Sequence, residues 1–258
     1  MNTLEISDIE RIVRLVADAG DPTVEISLAE RKRHLLEGVA RLVNADAWIW
    51  STAVPNPDVP GDITTTCVVD GGWNDGQEQG RVYQALTDHV QMKDLNDPIL
   101  EAARKGQHVT LLRQDLVSEE VWSKVGPFWR RTGFDHVLLV VHPMNRDVFS
   151  GVAFHRRCGK PNYVERDRAI VHVVFRQVEW LHRHGTNTAA QGIVVHLSPR
   201  ERQVLTLLLS GDSRKEVAKK LRISEHTVGD YMKQLHKHFA VNSRAELQAY
   251  FLIGGKPE

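Results

Sequence analysis

Apolar residues recur at two different periods along this chain, and the switches between them outline its elements. From Val24 to Asn44 the residues Ile26, Leu28, Leu35, Leu36, Val39, Leu42 and Val43 keep helical spacing, which predicts an amphipathic helix. Runs rich in β-branched and aromatic residues predict strands at Ala47–Val54 and Ile63–Trp73, joined across the turn residues Pro55–Asp62. Helical stretches follow near Gln77–Val90 and Pro98–Lys105, then a short strand at His108–Leu112. A helix over Glu119–Thr132 is interrupted by Gly126–Pro127. Asp135–Pro143 and Val148–Cys158 predict a hairpin across Asn145-Arg146-Asp147. Val164–Arg183 predicts a long closing helix with Ile170, Val173, Val174, Val178 and Leu181 on its stripe. The order of elements is that of an α+β unit, one antiparallel sheet flanked by helices.

From Leu197 the pattern becomes purely helical and densely punctuated. Ser198/Glu201, Ser213/Glu216 and Ser243/Glu246 each have the capping-box spacing, in which two side chains satisfy open backbone N–H groups reciprocally. Pro199 takes a first helical position, where its missing N–H is no loss, and Ser224 is an N-cap for a further helix. Val217, Ala218 and Leu221 share one face. Val228, Met232 (or Tyr231), Leu235 and Phe239 share another. Only Leu221-Arg222-Ile223-Ser224 separates these two helices, so they must cross steeply. That spacing predicts a helix-turn-helix over Ser213–Met232, with Glu225–Phe239 as the helix free to enter a major groove.

The runs SPRERQVL, SRKEVAKKLRISEHTV and FAVNSRAEL resemble the LuxR/FixJ-type DNA-binding domain of bacterial transcription regulators, over about a quarter of the chain. The resemblance implies an all-α, four-helix domain that usually binds DNA as a dimer, with the last helix, about Arg244–Phe251, at the dimer contact. Helical spacing puts Thr227, Asp230, Lys233, Gln234 and Lys237 on the exposed side of the recognition helix. Ser224 and Thr227, at a helix N-terminus, suit a phosphate oxygen, and Lys215 is a second phosphate candidate. Lys233 and Lys237 could reach a phosphate or a guanine edge, where a good contact discriminates by roughly 1–3 kcal/mol. Departures from the family pattern touch specificity. Gly229 stands where Lys is common, Asp230 would repel phosphate but can accept from a cytosine amino group, Tyr231 replaces a frequent His, and Arg222 replaces a turn Gly. The expectation is an altered or weaker operator preference.

The first unit resembles GAF/PAS-like sensor domains and, by its pairing with this C-terminus, the autoinducer-binding domains of LuxR regulators. Asp97-Pro98 is similar to their Asp-Pro pair and Thr132-Gly133-Phe134 to their Gly before a final sheet segment. Their upstream Trp and Tyr spacing is absent, so acyl-homoserine lactone binding is not implied. A phosphorylation receiver would need a five-fold βα alternation with an acidic cluster after its first strand, which this chain lacks. Trp48, Trp50, Trp73, Trp122, Phe128 and Trp129 are concentrated here, and sensor folds hold ligands between sheet and helices. Aromatics on a sheet face are equally ordinary core. The ligand-binding candidates are Trp50, Trp73, Asp97 and Trp129, with Asp97 equally readable as a helix N-cap.

Charge refines the division. The chain holds 33 Lys+Arg and 33 Asp+Glu. From Leu197 onward there are 11 against 7, leaving 22 against 26 before it, a basic end on an acidic body. The expected layout is a sensor or dimerisation domain over 1–184, a small, polar linker over 185–192 and the helix-turn-helix domain over 193–258. Cys67 and Cys158, without CxxC spacing, indicate no zinc site or disulfide framework, and would meet in a redox switch only if their strands pair. The histidines match no metal pattern, no catalytic motif is present, and neither an enzyme nor a cofactor is expected. The acidic, amphipathic start and the absence of a long apolar run predict no signal peptide and no membrane partner, hence the cytoplasm. The function expected is a DNA-binding transcriptional regulator controlled by a signal in its first domain. The alternative is a protein-interaction or dimerisation module tethered to DNA with no small-molecule ligand. Double-stranded DNA, a second copy of the chain, a small-molecule effector and RNA polymerase are the candidate partners.

Overall fold

The structure, a computed structural model, describes residues 4–21, 23, 28–55, 63–144, 148–183, 197–209 and 211–252. Its organising element is one five-stranded sheet in the order β2-β1-β5-β4-β3, with every pairing antiparallel. The strands are β1 (Ala47–Pro55), β2 (Ile63–Gly71), β3 (Val109–Leu112), β4 (Phe134–Pro143) and β5 (Phe149–Arg157). The expected strand pair and hairpin are both present. Residues 145–147 and the proposed linker 185–192 lie outside the described residues.

Side chains alternate across a strand, so each face of the sheet draws on every second residue. One face carries Trp48, Trp50, Leu138, Val140, Val152 and Phe154. It packs on α2 (Leu28–Leu42), α7 (Glu165–Gln177) and α8 (Glu179–Arg183), with α1 (Ile6–Gly20) laid against α2 and α7. This layer is tied by charge as well as by apolar contact. Arg166 bonds the buried Asp8 at 2.6 Å, joining α1 to α7, and Arg156 pairs with Asp167 at 3.1 Å, both side chains buried. The other face meets α3 (Gly76–Leu86), α4 (His89–Arg104), α5 (Arg113–Leu116) and α6 (Glu119–Arg130). The result is a three-layer α+β unit.

Several boundaries differ from expectation. Asp88 caps α4, its carboxylate accepting from the Gln91 N–H at 3.1 Å, so the helix opens nine residues before Pro98 and runs through it. Asp97 is therefore mid-helix and exposed, not an N-cap. Gly126–Pro127 likewise lies within the continuous α6. The single closing helix is two, α7 and α8, parted at Val178, whose φ/ψ of −99°/39° leaves the α region. β1 lies between β2 and β5, so the strand carrying Cys67 does not pair with the one leading to Cys158, and the redox switch loses its premise.

Four helices, α9 (Pro199–Leu209), α10 (Arg214–Leu221), α11 (Glu225–Phe239) and α12 (Arg244–Leu252), form the C-terminal unit. Their core of Leu205, Leu208, Val217, Leu221, Val228, Leu235, Phe239 and Leu247 is continuous with the apolar layer under α3 and α6. α3 lies against α10. A Cβ on Gly80 would come within 3.0 Å of the Lys220 carbonyl oxygen, so glycine is what permits this approach. Lys220 then reaches back, pairing with Asp212 and donating to Gln79 Oε1. Burial raises the Asp212 carboxyl above its usual range against the opposing pull of Lys220. Gln79, Tyr83 and the Trp73 indole N–H all donate to Asp70 Oδ2 on β2, the last at 2.7 Å. Gln203 of α9 donates to Thr87 Oγ1 at 2.7 Å.

Candidate nucleic-acid interface and effector cavity

The C-terminal unit is assembled by its caps. Ser198 Oγ accepts the Glu201 N–H at 3.3 Å while the Glu201 carboxylate accepts the Ser198 N–H at 2.7 Å. Ser213 and Glu216 repeat this arrangement at the head of α10. Each box satisfies groups that a helix end leaves open. The third box is skewed: Ser243 Oγ takes the Glu246 N–H at 3.1 Å, but the Glu246 carboxylate takes the Asn242 N–H and the Ser243 hydroxyl.

α10 stops at Arg222, which adopts the left-handed conformation with φ 55°. Glycine holds that geometry without a Cβ penalty, so arginine at this turn carries strain of about 1 kcal/mol. Two residues later Ser224 caps α11, accepting the Thr227 N–H at 3.0 Å with its hydroxyl 2.8 Å from Thr227 Oγ1. Val228, Leu235 and Phe239 hold α11 to the body. Lys233, Gln234 and Lys237 face solvent, with Thr227 and Asp230 half-buried beside them, and Ser224 and Lys215 are exposed at the two helix starts. The seven candidates thus lie along α11 and at the heads of α10 and α11.

Two details could not be read from spacing. Asp230 is engaged on its own helix, 3.3 Å from Lys233 Nζ and 3.6 Å from His226 Nε2. Such exposed pairs contribute little, so Lys233 can exchange this partner for a phosphate. Arg214, absent from the sequence candidates, extends over the start of α11: its Nε is 3.6 Å from Glu225, and its Nη1 lies 3.7 Å from where a Cβ on Gly229 would sit. Its position at the head of a basic helix was the available signal.

The second site lies in the sheet unit. Between the α3/α4/α6 layer and the sheet is a cavity of about 110 Å³, walled by Ile49, Met92, Trp122, Trp129 and Phe149 among others. Of the four ligand candidates only Trp129 lines it. Trp50 projects from the opposite face, donating to Ser150 Oγ at 2.7 Å and packing on Phe175. Trp73 bonds Asp70 beside the C-terminal unit, and Asp97 is on the surface. The polar wall residues are Ser51, Thr65, Asn96 and His155, none of them singled out by the sequence. A smaller gap of about 20 Å³ shares Ile49, Ile63, Thr65 and Leu86 with this cavity and is closed on its far side by Arg202 and Thr206 of α9.

Among the described residues no group of three or more His, Cys, Asp or Glu could hold a metal ion, and no helix is long and apolar enough to cross a membrane.

The family model for bacterial regulatory proteins of the luxR family matches residues 195–251. Over 50 residues the chain is 40% identical to a probable HTH-type transcriptional regulator, GfsR, of Streptomyces halstedii. That stretch is 19% of this chain and 21% of the relative, so the chain matches about a fifth of the relative's length. Among solved structures, Escherichia coli SdiA is similar at 16% identity and a TM-score of 0.40, over 94% of this chain and 95% of that one. SdiA in complex with octanoyl-rac-glycerol gives 14% and 0.42 over 96% of both. The VqsR LBD domain from Pseudomonas aeruginosa gives 11% and 0.46, over 69% of this chain and 96% of that one.

Proposed function

Since residues 195–251 form a domain of the luxR family of bacterial regulatory proteins, we propose that the protein is a transcriptional regulator that reads duplex DNA through α11 under the control of a small molecule bound in the sheet unit. The observation carrying the first half is the division of α11. Val228, Leu235 and Phe239 are consumed by the core, while Lys233, Gln234 and Lys237 are left to solvent on a helix whose N-terminus is free. Such a helix presents base-reading side chains, and its N-cap hydroxyls and Lys215 meet phosphates. As a dimer it spans two half-sites about 34–36 Å apart. That role puts it with the genome, in the cytoplasm.

The second half is supported by the cavity's position. Four residues of its wall also line the gap closed by α9, and α3 touches the cavity through Leu86 and α10 through Gly80. A ligand that moves this wall therefore favours one placement of the DNA-binding unit over another, and acts by that difference alone.

The test is binding to operator fragments selected from genomic DNA by the full-length protein. Replacing Lys233 and Lys237 together by Ala should weaken binding and lower the slope of log affinity against log salt by about two. An unchanged slope removes both lysines from the interface, and indifference to every duplex at low salt ends the reading. One observation favours the simpler role for the sheet unit, association with a second copy: α1 exposes Ile6, Ile9 and Val13 at helical spacing. Ile9→Arg that leaves a dimer intact by sedimentation counts against it.

A further inference from the structure

The cavity between the sheet and α4/α6 carries chemical information in the one buried histidine of its wall. His155, on β5, is 2% exposed, and neither of its ring nitrogens meets a hydrogen-bond partner within the protein. The ring is held in place by apolar neighbours, Trp129 at 5.8 Å and Phe134 at 5.6 Å between centroids. Buried polar groups are almost always paired, and one that is not calls for an explanation. Another buried histidine shows the usual outcome: His182 Nδ1 lies 2.8 Å from Ser150 Oγ, and Nε2 lies 3.0 Å from the Phe175 carbonyl. Among the buried histidines of the described residues His155 alone has both nitrogens unmet.

We infer that the cavity takes a compact, uncharged molecule bearing a hydroxyl or carbonyl, and that His155 is the residue that recognises this group. The inference rests on the reading of this cavity as the effector site. Among the described residues no Lys, Arg, Asp or Glu lines the cavity, and Arg202 borders only the smaller adjoining gap. A charged ligand would lose its hydration with nothing to replace it. Burial lowers the His155 pKa to about 4, so the ring is neutral near pH 7. A neutral imidazole has one N–H donor and one bare nitrogen, so it can donate to a carbonyl or accept from a hydroxyl. Its polar companions are less available, since Ser51 Oγ already lies 3.4 Å from the Gly151 carbonyl. The volume sets the size. About 110 Å³ is of the order of an engineered apolar cavity of roughly 150 Å³ that admits benzene, and Trp122, Trp129 and Phe149 offer ring faces to such a guest.

The experiment uses three ring-sized probes, toluene, benzyl alcohol and benzoate, titrated into the full-length protein by ligand-observed NMR. Benzyl alcohol should bind about tenfold tighter than toluene, the value of one hydrogen bond kept from water, and benzoate should not bind. In protein carrying ¹⁵N-labelled histidine, benzyl alcohol should move the His155 nitrogen resonances and leave those of His182 in place, a readout that needs no substitution. His155→Phe keeps the ring and removes both nitrogens, so it should retain toluene and erase the preference. Equal affinity for toluene and benzyl alcohol, tighter binding of benzoate, unmoved His155 resonances in the bound state, or no binding by any probe overturns the inference. A preference that holds while saturating benzyl alcohol leaves duplex affinity unchanged sinks the sensor reading instead, and leaves the recognition by His155 standing.

Discussion

The two faces of the sheet are built from the same five strands and solve packing in opposite ways. Toward α2 and α7, β1 and β5 present Trp48, Trp50, Val152 and Phe154, which fill the layer, the Trp50 indole N–H donating to Ser150 Oγ. Toward α4 and α6 the intervening residues are Ile49, Ser51, Ala53, Gly151, Ala153 and His155, and a cavity remains. Interiors are normally packed like organic crystals. A face of alternately small residues opposite two tryptophans is thus not a poor core but a shaped space. Large-and-small alternation along a strand puts a filled layer and a layer with a cavity back to back.

The comparison is broken most directly by emptying the full face. Trp50→Ala should cost about 3–5 kcal/mol in urea unfolding, because the layer around it cannot collapse into the space. A loss under about 1 kcal/mol would mean the two faces are not different in kind. Acid probes both faces at once. Burial lowers His108 and His155 to about 4, and His182 also falls well below its usual value. The unfolded chain then binds protons near pH 6.5 that the folded chain refuses until about pH 4. Stability is complete above 6.5 and falls as pH drops toward 4, by about 2 kcal/mol at pH 5 for His155 alone. His155→Phe should flatten that part of the curve, and an unaltered pH profile in the variant would place its ring in a wetter setting.

Space left by a small residue is not always a cavity. At Gly229 a Cβ would meet Arg214 Nη1, at 3.7 Å, so Gly229→Ala should stabilise the protein by up to about 1 kcal/mol in thermal unfolding. A destabilised variant would reveal a packing role there. A similarly small stability change is expected where the cavity is filled. Ala153→Leu should alter stability by less than about 1.5 kcal/mol, since the added volume enters open space. It should also abolish binding of toluene and benzyl alcohol, and retained binding would locate the probes elsewhere.

Where the sequence reading worked, and where it did not, follows from how far the relevant interactions reach. The capping serines, the short turn at Arg222 and the buried Val228, Leu235 and Phe239 of α11 depend on residues a few positions apart, and all are present as expected. The skewed box at Ser243 shows that even a local motif adjusts to its neighbours. Asp97 is a site candidate through the likeness of Asp97-Pro98 to the Asp-Pro pair of autoinducer-binding domains, and an N-cap candidate because it precedes a proline. Yet Asp88 offered an earlier cap, and the helix carried Asp97 to the surface. Trp50 was reasonable as a ligand contact, but aromatic content says nothing about which face a strand turns toward which layer.

The chain's periodicity and punctuation determined by themselves that there would be an α+β unit followed by four capped helices, with Lys233, Gln234 and Lys237 outward, since helix starts and stripes are written over a single turn or two. Only tertiary structure decided that Trp50 would lie against Ser150, a hundred residues away. It likewise decided that His155 would face a space ringed by α4 and α6, and that Gly80 would admit Lys220. Those outcomes depend on strand register and on which layer closes over which face, and both are settled by packing among segments that carry no local mark of one another.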